Sequence, residues 1–178
     1  MTANHTLVES PIGALTLVAE DGALTGLYFP HHWYRPDPAT FGPRVEVGVE
    51  DSVEDSVEHG FDDVRAQLAE YFAGERRHFD LPLRAAGTEF QRRVWALLDR
   101  IEPGQTTTYG ELAAELGDPA LAREVGAAVG RNPLCIVVPC HRVLGKGGKL
   151  TGYAGGLARK RFLLELERSD ATLAGTLF

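Results

Sequence analysis

The spacing of apolar residues changes along this chain, and the change constrains the fold more than any other feature. Near the N-terminus, apolar and polar residues alternate in three short runs separated by two glycine-containing turns; the runs cover residues 6–9, 15–19 and 24–28. Alternation with period two indicates half-buried strands joined in a meander. From residue 61 onward, apolar residues recur every three or four positions, as in amphipathic helices. The sequence therefore predicts an α+β fold, with a small antiparallel sheet followed by helices.

One helix is predicted to cover the meander. Residues 61–72 carry an apolar face at helical spacing, and Gly74 supplies a stop. Residues 78–83 either add an extended edge to the sheet or simply link the two halves. We expect an N-terminal α/β domain over residues 1–83 and a second domain over residues 84–178.

The segment 30–60 lacks a hydrophobic period. It contains four prolines and a near-duplicated acidic block, Glu50-Asp51-Ser52-Val53 followed by Glu54-Asp55-Ser56-Val57, which is typical of a mobile acidic surface loop. His31, His32 and His59 lie in this segment, but no cysteine accompanies them, so a solvated loop explains them better than a metal site. We expect no metal and no cofactor.

Charge and composition restrict the class of protein. Residues 1–83 hold 5 Lys and Arg against 15 Asp and Glu, a net charge of −10, whereas residues 84–178 hold 13 against 10, a net charge of +3. A nucleic-acid surface is therefore compatible only with the second half. No apolar run is long enough to span a bilayer, no secretory signal opens the chain, and two cysteines five residues apart do not resemble a disulfide framework. We expect a soluble cytoplasmic protein without a membrane partner.

The second half contains helices with clear starting signals. Thr88 with Gln91 and Thr108 with Glu111 each form a capping box, and Asp118-Pro119 opens a further helix that runs to about Gly130. The helix that begins at Thr108 and the helix that begins at Asp118 are joined by a very short turn, which predicts a helix-turn-helix. The second of them bears small residues, Ala122, Gly126 and Ala127, together with Arg123 and Arg131. Small side chains permit close approach to a DNA groove, but they equally permit close packing between helices.

Residues 136–143 read Ile-Val-Val-Pro-Cys-His-Arg-Val. The β-branched residues predict a short buried extended segment that ends at the proline. Cys140 is then followed directly by His141 and Arg142. A thiol attacks as thiolate, and at the ordinary cysteine pKa only ~3% is ionised at neutral pH, so a neighbouring base or cation matters. Taken by itself, the pair also fits a structural cysteine beside a charged residue.

A glycine-rich loop follows, Gly152-Tyr153-Ala154-Gly155-Gly156, and leads into a final helix from Leu157 to about Arg168. Such loops expose backbone N–H groups to a ligand. The loop lacks the Gly-Lys-Ser/Thr ending of nucleotide triphosphate sites.

With the Pro-Cys-His-Arg-Val motif, this loop and the helix of Arg123 in order, the chain resembles the 6-O-alkylguanine-DNA alkyltransferases, or methylated-DNA–protein-cysteine methyltransferases. The likeness is strong over residues 86–168 and looser over the meander. It implies an N-terminal α/β domain and a mainly helical, winged-helix-like C-terminal domain with a helix-turn-helix. It also implies double-stranded DNA carrying 6-O-alkylguanine as the partner. By default we expect a monomer, alone or with several copies along the duplex.

The resemblance assigns roles to individual residues. Cys140 matches the alkyl acceptor, His141 the base that activates it through a water, and Glu167 the acid that orients the histidine. Asn132 matches the residue that ties the helix-turn-helix to the active-site segment, and Tyr109 the tyrosine that turns and holds the base. The remaining implied residues contact DNA or line the base pocket: Arg123, Ala122, Gly126, Ala127 and Arg131 for DNA; Val143, Tyr153, Ala154 and Cys135 for the pocket, Cys135 standing where some relatives have proline.

The implied activity is single-use DNA repair. The protein would flip 6-O-alkylguanine, mainly 6-O-methylguanine, out of the duplex and transfer the alkyl group irreversibly to Cys140. Two other classes remain open. One is a sensor that recognises alkylated bases without repairing them, although such proteins replace the acceptor cysteine. The other is a Cys-His hydrolase acting by acyl transfer, which would turn over.

Overall fold

The computed structural model describes the backbone of residues 2–47 and 55–175, and the side chains of these residues except 55–59 and 169–175. The alternating runs form strands β1 (Ala3–Val8), β2 (Leu15–Glu20) and β3 (Ala23–Tyr28). They pair antiparallel in the order β1-β2-β3, which confirms the predicted meander. β2 is buried along nearly its whole length because α1 covers one face of the sheet, while on the other face Val18 packs with Tyr28 and Phe41.

Helix α1 (Asp55–Phe72) packs against β1 and β2 through Phe61, Val64, Leu68 and Tyr71, all buried. The predicted helix is confirmed, but it begins six residues before Phe61, its predicted start. The first turns of α1 come before its apolar face begins. The spacing of apolar residues reveals only those turns of a helix that pack on the core, so the sequence pattern could not show them. The prediction of a structureless segment up to residue 60 is therefore wrong at this end.

The segment predicted as a loop is also ordered at its other end. A 3₁₀ helix, Pro38–Phe41, is capped by the Asp37 carboxylate, which accepts from the N–H of Ala39. Phe41 is buried and stacks on Tyr28 with ring centroids 5.5 Å apart. The segment 30–47 is thus held on the sheet at Phe41, while residues 50–54 of the acidic block lie outside the described residues.

The two predicted capping boxes are present. Thr88 caps α2 (Glu89–Leu98) and Thr108 caps α3 (Tyr109–Glu115), each with its N3 side chain returning a bond to the cap backbone. A 3₁₀ turn, Pro119–Leu121, then leads into α4 (Ala122–Gly130), as predicted for the second helix of the helix-turn-helix. The indole N–H of Trp95 on α2 donates to the carbonyl of Ala128 at 2.8 Å and fixes α4.

Two short backbone pairings fix the position of the segment that lies between α4 and the last helix. β4 (Thr107–Thr108) pairs parallel with β5 (Val143–Leu144), which brings the end of the Pro-Cys-His-Arg-Val motif to the start of α3. The edge of β3 that does not pair with β2 is bonded to the chain just after α4, since the N–H of Leu27 donates to the carbonyl of Pro133 at 2.8 Å. Residues 82–84 pair with Leu24, so the stretch 78–83 ends as an extended edge.

The final helix, α5 (Leu157–Gly175), continues past its predicted end at Arg168. Gly155, just before it, lies against Phe29, and a Cβ there would come within 2.4 Å of the Phe29 ring. In the part of the chain that the structure describes, no helix has the length and apolar character needed to cross a bilayer.

Candidate active site

The segment before Cys140 folds into two tight turns, and the predicted extended conformation of residues 136–138 is wrong. The N–H of Val137 donates to the carbonyl of Cys135 at 2.9 Å, with Ile136 between them at φ +72°. The N–H of Cys140 donates to the carbonyl of Val138 at 2.8 Å. These are γ-turns, and positive φ at a β-branched residue costs about 1–3 kcal/mol. Local β preference is overridden because the surrounding contacts fix the loop.

Asn132 provides the principal contacts that fix this loop. It is buried at the end of α4, its amide N–H donates to the carbonyl of Val138 at 2.9 Å, and its amide oxygen accepts from the N–H of Leu134 at 2.9 Å. One side chain therefore links α4 to both ends of the loop that carries Cys140. Asn132 thus connects the end of α4 to the segment that precedes Cys140.

Cys140 and His141 lie in a 3₁₀ helix, Cys140–Arg142. His141 is fully buried, and its Nε2 lies 2.6 Å from Oε1 of Glu167 on α5. A carboxylate can only accept, so in the neutral imidazole Nε2 carries the proton and Nδ1 keeps a lone pair. Among the described residues, Nδ1 has no hydrogen-bond partner. Burial lowers the pKa of His141 despite Glu167, which favours this neutral, basic form.

Besides His141, two further residues bind Glu167. Arg142 donates to both carboxylate oxygens, at 3.0 and 2.8 Å, and the hydroxyl of Tyr71 donates to Oε1 at 2.8 Å. Burial alone would raise the pKa of Glu167, but His141 and Arg142 overcome it and hold the pKa well below its usual range. Arg142, expected from the sequence as a cation beside the thiol, pairs with Glu167, and Tyr71, within the apolar face of α1, also binds it. No local signal connects Tyr71, 96 residues away, to Glu167.

Cys140 is surrounded by groups that favour its thiolate. Its Sγ lies 3.8 Å from Sγ of Cys135, and both thiols are free and buried. The pKa of Cys140 is lowered chiefly by hydrogen bonding from Cys135, with smaller contributions from the Asn132 amide and the Lys160 ammonium, against the opposing effect of burial. The pKa of Cys135 is raised well above its ordinary value by the same contact and by burial.

Lys160 is a functional residue that the sequence interpretation missed. Its side chain is fully buried, and its ammonium donates to the carbonyls of Val143, Thr151 and Gly152 at 2.6, 2.7 and 3.1 Å. Burial lowers its pKa to about 8. Lys160 thus ties the motif to the glycine-rich loop. Its spacing was a usable signal, because Lys160 and Glu167 lie two turns apart on the core face of one helix.

A cavity of about 100 Å³ opens above Cys140. Its walls come from the N-terminal half, the helix-turn-helix and the glycine-rich loop: Trp33, Tyr109, Gly126, Val129, Gly130, Cys140, Gly152, Tyr153 and Ala154. Tyr109, Tyr153 and Ala154 therefore line one cavity together with Cys140. Trp33 also lines this cavity, although no sequence signal pointed to it. Its side chain is half exposed, and its backbone N–H donates to the carbonyl of Ala154 at 3.1 Å. Two predicted pocket residues, Cys135 and Val143, do not line this cavity but lie buried beneath it.

Helix α4 presents its exposed and its cavity-lining residues on one face. Arg123 and Ala127 are exposed and Ala122 is half-buried, whereas Gly126 faces the cavity. Arg131, just after the helix, places its guanidinium 4.1 Å from the ring centre of Tyr34. Because residues three and four apart share a helix face, the exposed cation of Arg123 lies on the same face of α4 as Gly126, which borders the thiol cavity.

Two family models match the chain. Residues 4–85 match the ribonuclease-like domain of 6-O-methylguanine DNA methyltransferase, and residues 89–169 match its DNA binding domain. A methylated-DNA–protein-cysteine methyltransferase of Mycolicibacterium paratuberculosis is 47% identical over 173 residues, 96% of each chain. The crystal structure of the Mycobacterium tuberculosis O6-methylguanine methyltransferase is 44% identical with a TM-score of 0.80, covering 95% of this chain and 94% of that one. The crystal structure of Mycobacterium tuberculosis OGT in complex with DNA is 43% identical with a TM-score of 0.80, covering 94% of each chain.

Proposed function

Because the chain belongs to the 6-O-methylguanine DNA methyltransferase family and is a methylated-DNA–protein-cysteine methyltransferase, we propose that it repairs 6-O-alkylguanine in duplex DNA by moving the alkyl group to Cys140. The observation that carries the proposal is that Cys140 lines the cavity and directly precedes His141, whose imidazole is paired with the buried Glu167. Methyl is the principal group transferred.

Activation of the thiol follows from the tautomer of His141. Nδ1 takes the proton of Cys140 through a bridging water, while Nε2–H stays bonded to Glu167. Glu167 remains ionised and stabilises the imidazolium that forms. The donation from Cys135 and the charge of Lys160 stabilise the thiolate once the proton has left.

Transfer is a displacement at the alkyl carbon. The thiolate electron pair forms an S–C bond, the bond between that carbon and O6 breaks, and its electron pair stays on guanine. Donors beside the base must meet the resulting anion. Tyr109 and the backbone N–H of Ala154, both on the cavity, are the proposed donors. The thioether product has no easy reverse step, so each molecule repairs one lesion and stops.

DNA binding is assigned to α4. A base inside a duplex hides its O6 substituent, so the nucleotide must be extruded at a cost of a few kcal/mol. The small residues Ala122, Gly126 and Ala127 allow the helix into the groove, Arg123 occupies the space that the flipped nucleotide leaves, and Arg131 contacts a phosphate. The cavity is reached from this same helix through Gly126.

The oligomeric state and the cellular location of the protein complete the proposal. We propose a monomer that acts in the cytoplasm. The proposed reaction needs a reducing compartment, because Cys140 must keep a free thiol to accept an alkyl group and Sγ of Cys135 lies only 3.8 Å from it.

The test uses duplex DNA carrying a labelled methyl group on O6 of guanine. Label should move to the protein with a limit of one per chain and should not move to Cys140→Ala. A sensor would bind the lesion with no transfer, and a hydrolase would turn over; either result contradicts the proposal. Binding of the lesion by Cys140→Ala serves as the control that the variant folds.

The function of Arg123 is tested separately. Arg123→Ala should slow repair in duplex DNA much more than reaction with free 6-O-methylguanine, because only the duplex requires extrusion. Arg123→Lys keeps the charge and is the matched variant. Equal losses on duplex and free base would show that Arg123 does not act in extrusion.

A further inference from the structure

A line of buried hydrogen-bonding groups connects the end of β3 to the acceptor thiol. The N–H of Phe29 donates to Nδ1 of His32 at 3.2 Å, Nε2 of His32 lies 3.9 Å from Sγ of Cys135, and that sulfur lies 3.8 Å from Sγ of Cys140. Cys135 is fully buried and His32 nearly so. The line approaches Cys140 along a different path from His141 and Glu167.

The backbone sets the direction of this line. Burial, with the charge of Arg35, lowers the pKa of His32 to about 4, so the imidazole is neutral at physiological pH. Its Nδ1 accepts from a backbone N–H, which can only donate, so the single ring proton lies on Nε2. Nε2–H therefore points to Cys135, which accepts it with a sulfur lone pair.

The S–H of Cys135 then has two acceptors. The carbonyl of Asn132 lies at 3.7 Å and Sγ of Cys140 at 3.8 Å. A hydrogen bond to an ionised acceptor is about twice as strong as one to a neutral group. When Cys140 loses its proton, the S–H is drawn from the carbonyl to the thiolate, and the bond from His32 strengthens it.

We propose that Cys135 is a positioning residue for methyl transfer, donating its S–H to the Cys140 thiolate, and that His32 orients it through Nε2–H. This inference rests on the proposed function, since it concerns the same nucleophile. It gives the N-terminal half of the chain a part in tuning the chemistry of the C-terminal half.

Two close thiols share one negative charge, and the surroundings decide which of them carries it. The pKa directions, lowered for Cys140 and raised for Cys135, place it on Cys140. Other titratable groups also face the pair, and they must be constant across the variants compared: Lys160 and Tyr109 near Cys140, Tyr28 near Cys135, and Tyr153 near both.

The experiment compares Cys135→Ala, which removes the donor, with Cys135→Ser, which keeps a hydroxyl donor. His32→Phe keeps the ring contacts with Phe29 and Tyr28 but removes both nitrogens. Two quantities are followed against pH: the ultraviolet absorbance of the thiolate, with the matching Cys140→Ala chain as blank, and the single-turnover transfer rate from duplex DNA carrying 6-O-methylguanine. A phosphine reductant is present throughout, so a disulfide between the two thiols cannot form.

In Cys135→Ala both profiles should move to higher pH, with transfer at the acidic end slower by about three- to tenfold, the loss of one weak hydrogen bond to an anion. Cys135→Ser should recover part of the loss. His32→Phe should move the profiles less, and not at all when Cys135 is already alanine. Unmoved profiles in Cys135→Ala, equal effects of Ala and Ser, or an undiminished effect of His32→Phe without Cys135 would overturn the inference. If the wild-type chain transfers no methyl group, the proposed function fails, while the absorbance titration still tests the hydrogen bond.

Discussion

Replacing Glu167 by glutamine removes one charge from the most connected buried group of the site. The carboxylate, 2% exposed, accepts from His141, from Tyr71 and twice from Arg142. Glutamine has the same shape but only one acceptor oxygen. Its NH₂ must face either Arg142 or His141, so one donor meets another donor.

The cost follows from what is left unpaired. Arg142 is 6% exposed, and breaking a buried ion pair by removing one partner costs about 3–5 kcal/mol. We expect Glu167→Gln to lower the free energy of unfolding by about that amount at neutral pH. Because an amide can donate or accept, it no longer fixes the tautomer of His141, and methyl transfer should slow by about ten- to a hundredfold.

The pH dependence gives the sharpest check. The pKa of Glu167 is depressed in the folded protein, so its stabilisation is fully present above the unfolded value of 4.5 and is lost as pH falls toward the lower folded value. The difference in stability between wild type and Glu167→Gln should therefore be largest at neutral pH and shrink below about pH 4.5. Urea unfolding at a series of pH values measures it.

Tyr71→Phe is the matched control, since it removes one neutral donor from Glu167 and leaves the charge. It should cost about 0.5–1.5 kcal/mol, with a difference from wild type that is less dependent on pH. If Glu167→Gln costs no more than Tyr71→Phe, or if its cost is the same at pH 3 and pH 7, the carboxylate charge does not stabilise the site as the contacts imply.

Three further outcomes are expected. Lys160→Met leaves three backbone carbonyls without their donor, one on β5 and two at the start of the glycine-rich loop. Amide hydrogen exchange of residues 151–155 should therefore accelerate, and exchange as slow as in wild type would show that the ammonium does not hold the glycine-rich loop. Trp33→Ala removes one wall of the cavity, so the transfer rate for a benzyl relative to a methyl adduct should rise, and an unchanged ratio would exclude Trp33 from setting substrate size. Trp95→Phe removes the bond to Ala128 and should lower the free energy of unfolding by about 1 kcal/mol in a urea titration, a loss that would be missing if the bond did not support α4.

Much of the fold could be predicted from the chain because its determinants are local. The caps of α2 and α3 depend on pairs three residues apart, Thr88 with Gln91 and Thr108 with Glu111, and the meander depends on alternation between tight turns. The family likeness likewise came from contiguous residues, Pro-Cys-His-Arg-Val and the glycine-rich loop. The division at residues 83 and 84 stays a prediction, and contacts such as Tyr71 with Glu167 cross it.

The sequence by itself thus determined which residue types stand beside the thiol and which helices present them. The tertiary structure decided how those groups act on one another. Ile136 adopts positive φ against its own preference because Asn132 fixes the loop around it, and Lys160 is held inside by carbonyls of two other segments. His32 reaches Cys135 across 103 residues. Hydrogen bonds and burial depend on distance in space, and between residues this far apart in the chain only the packed fold sets that distance.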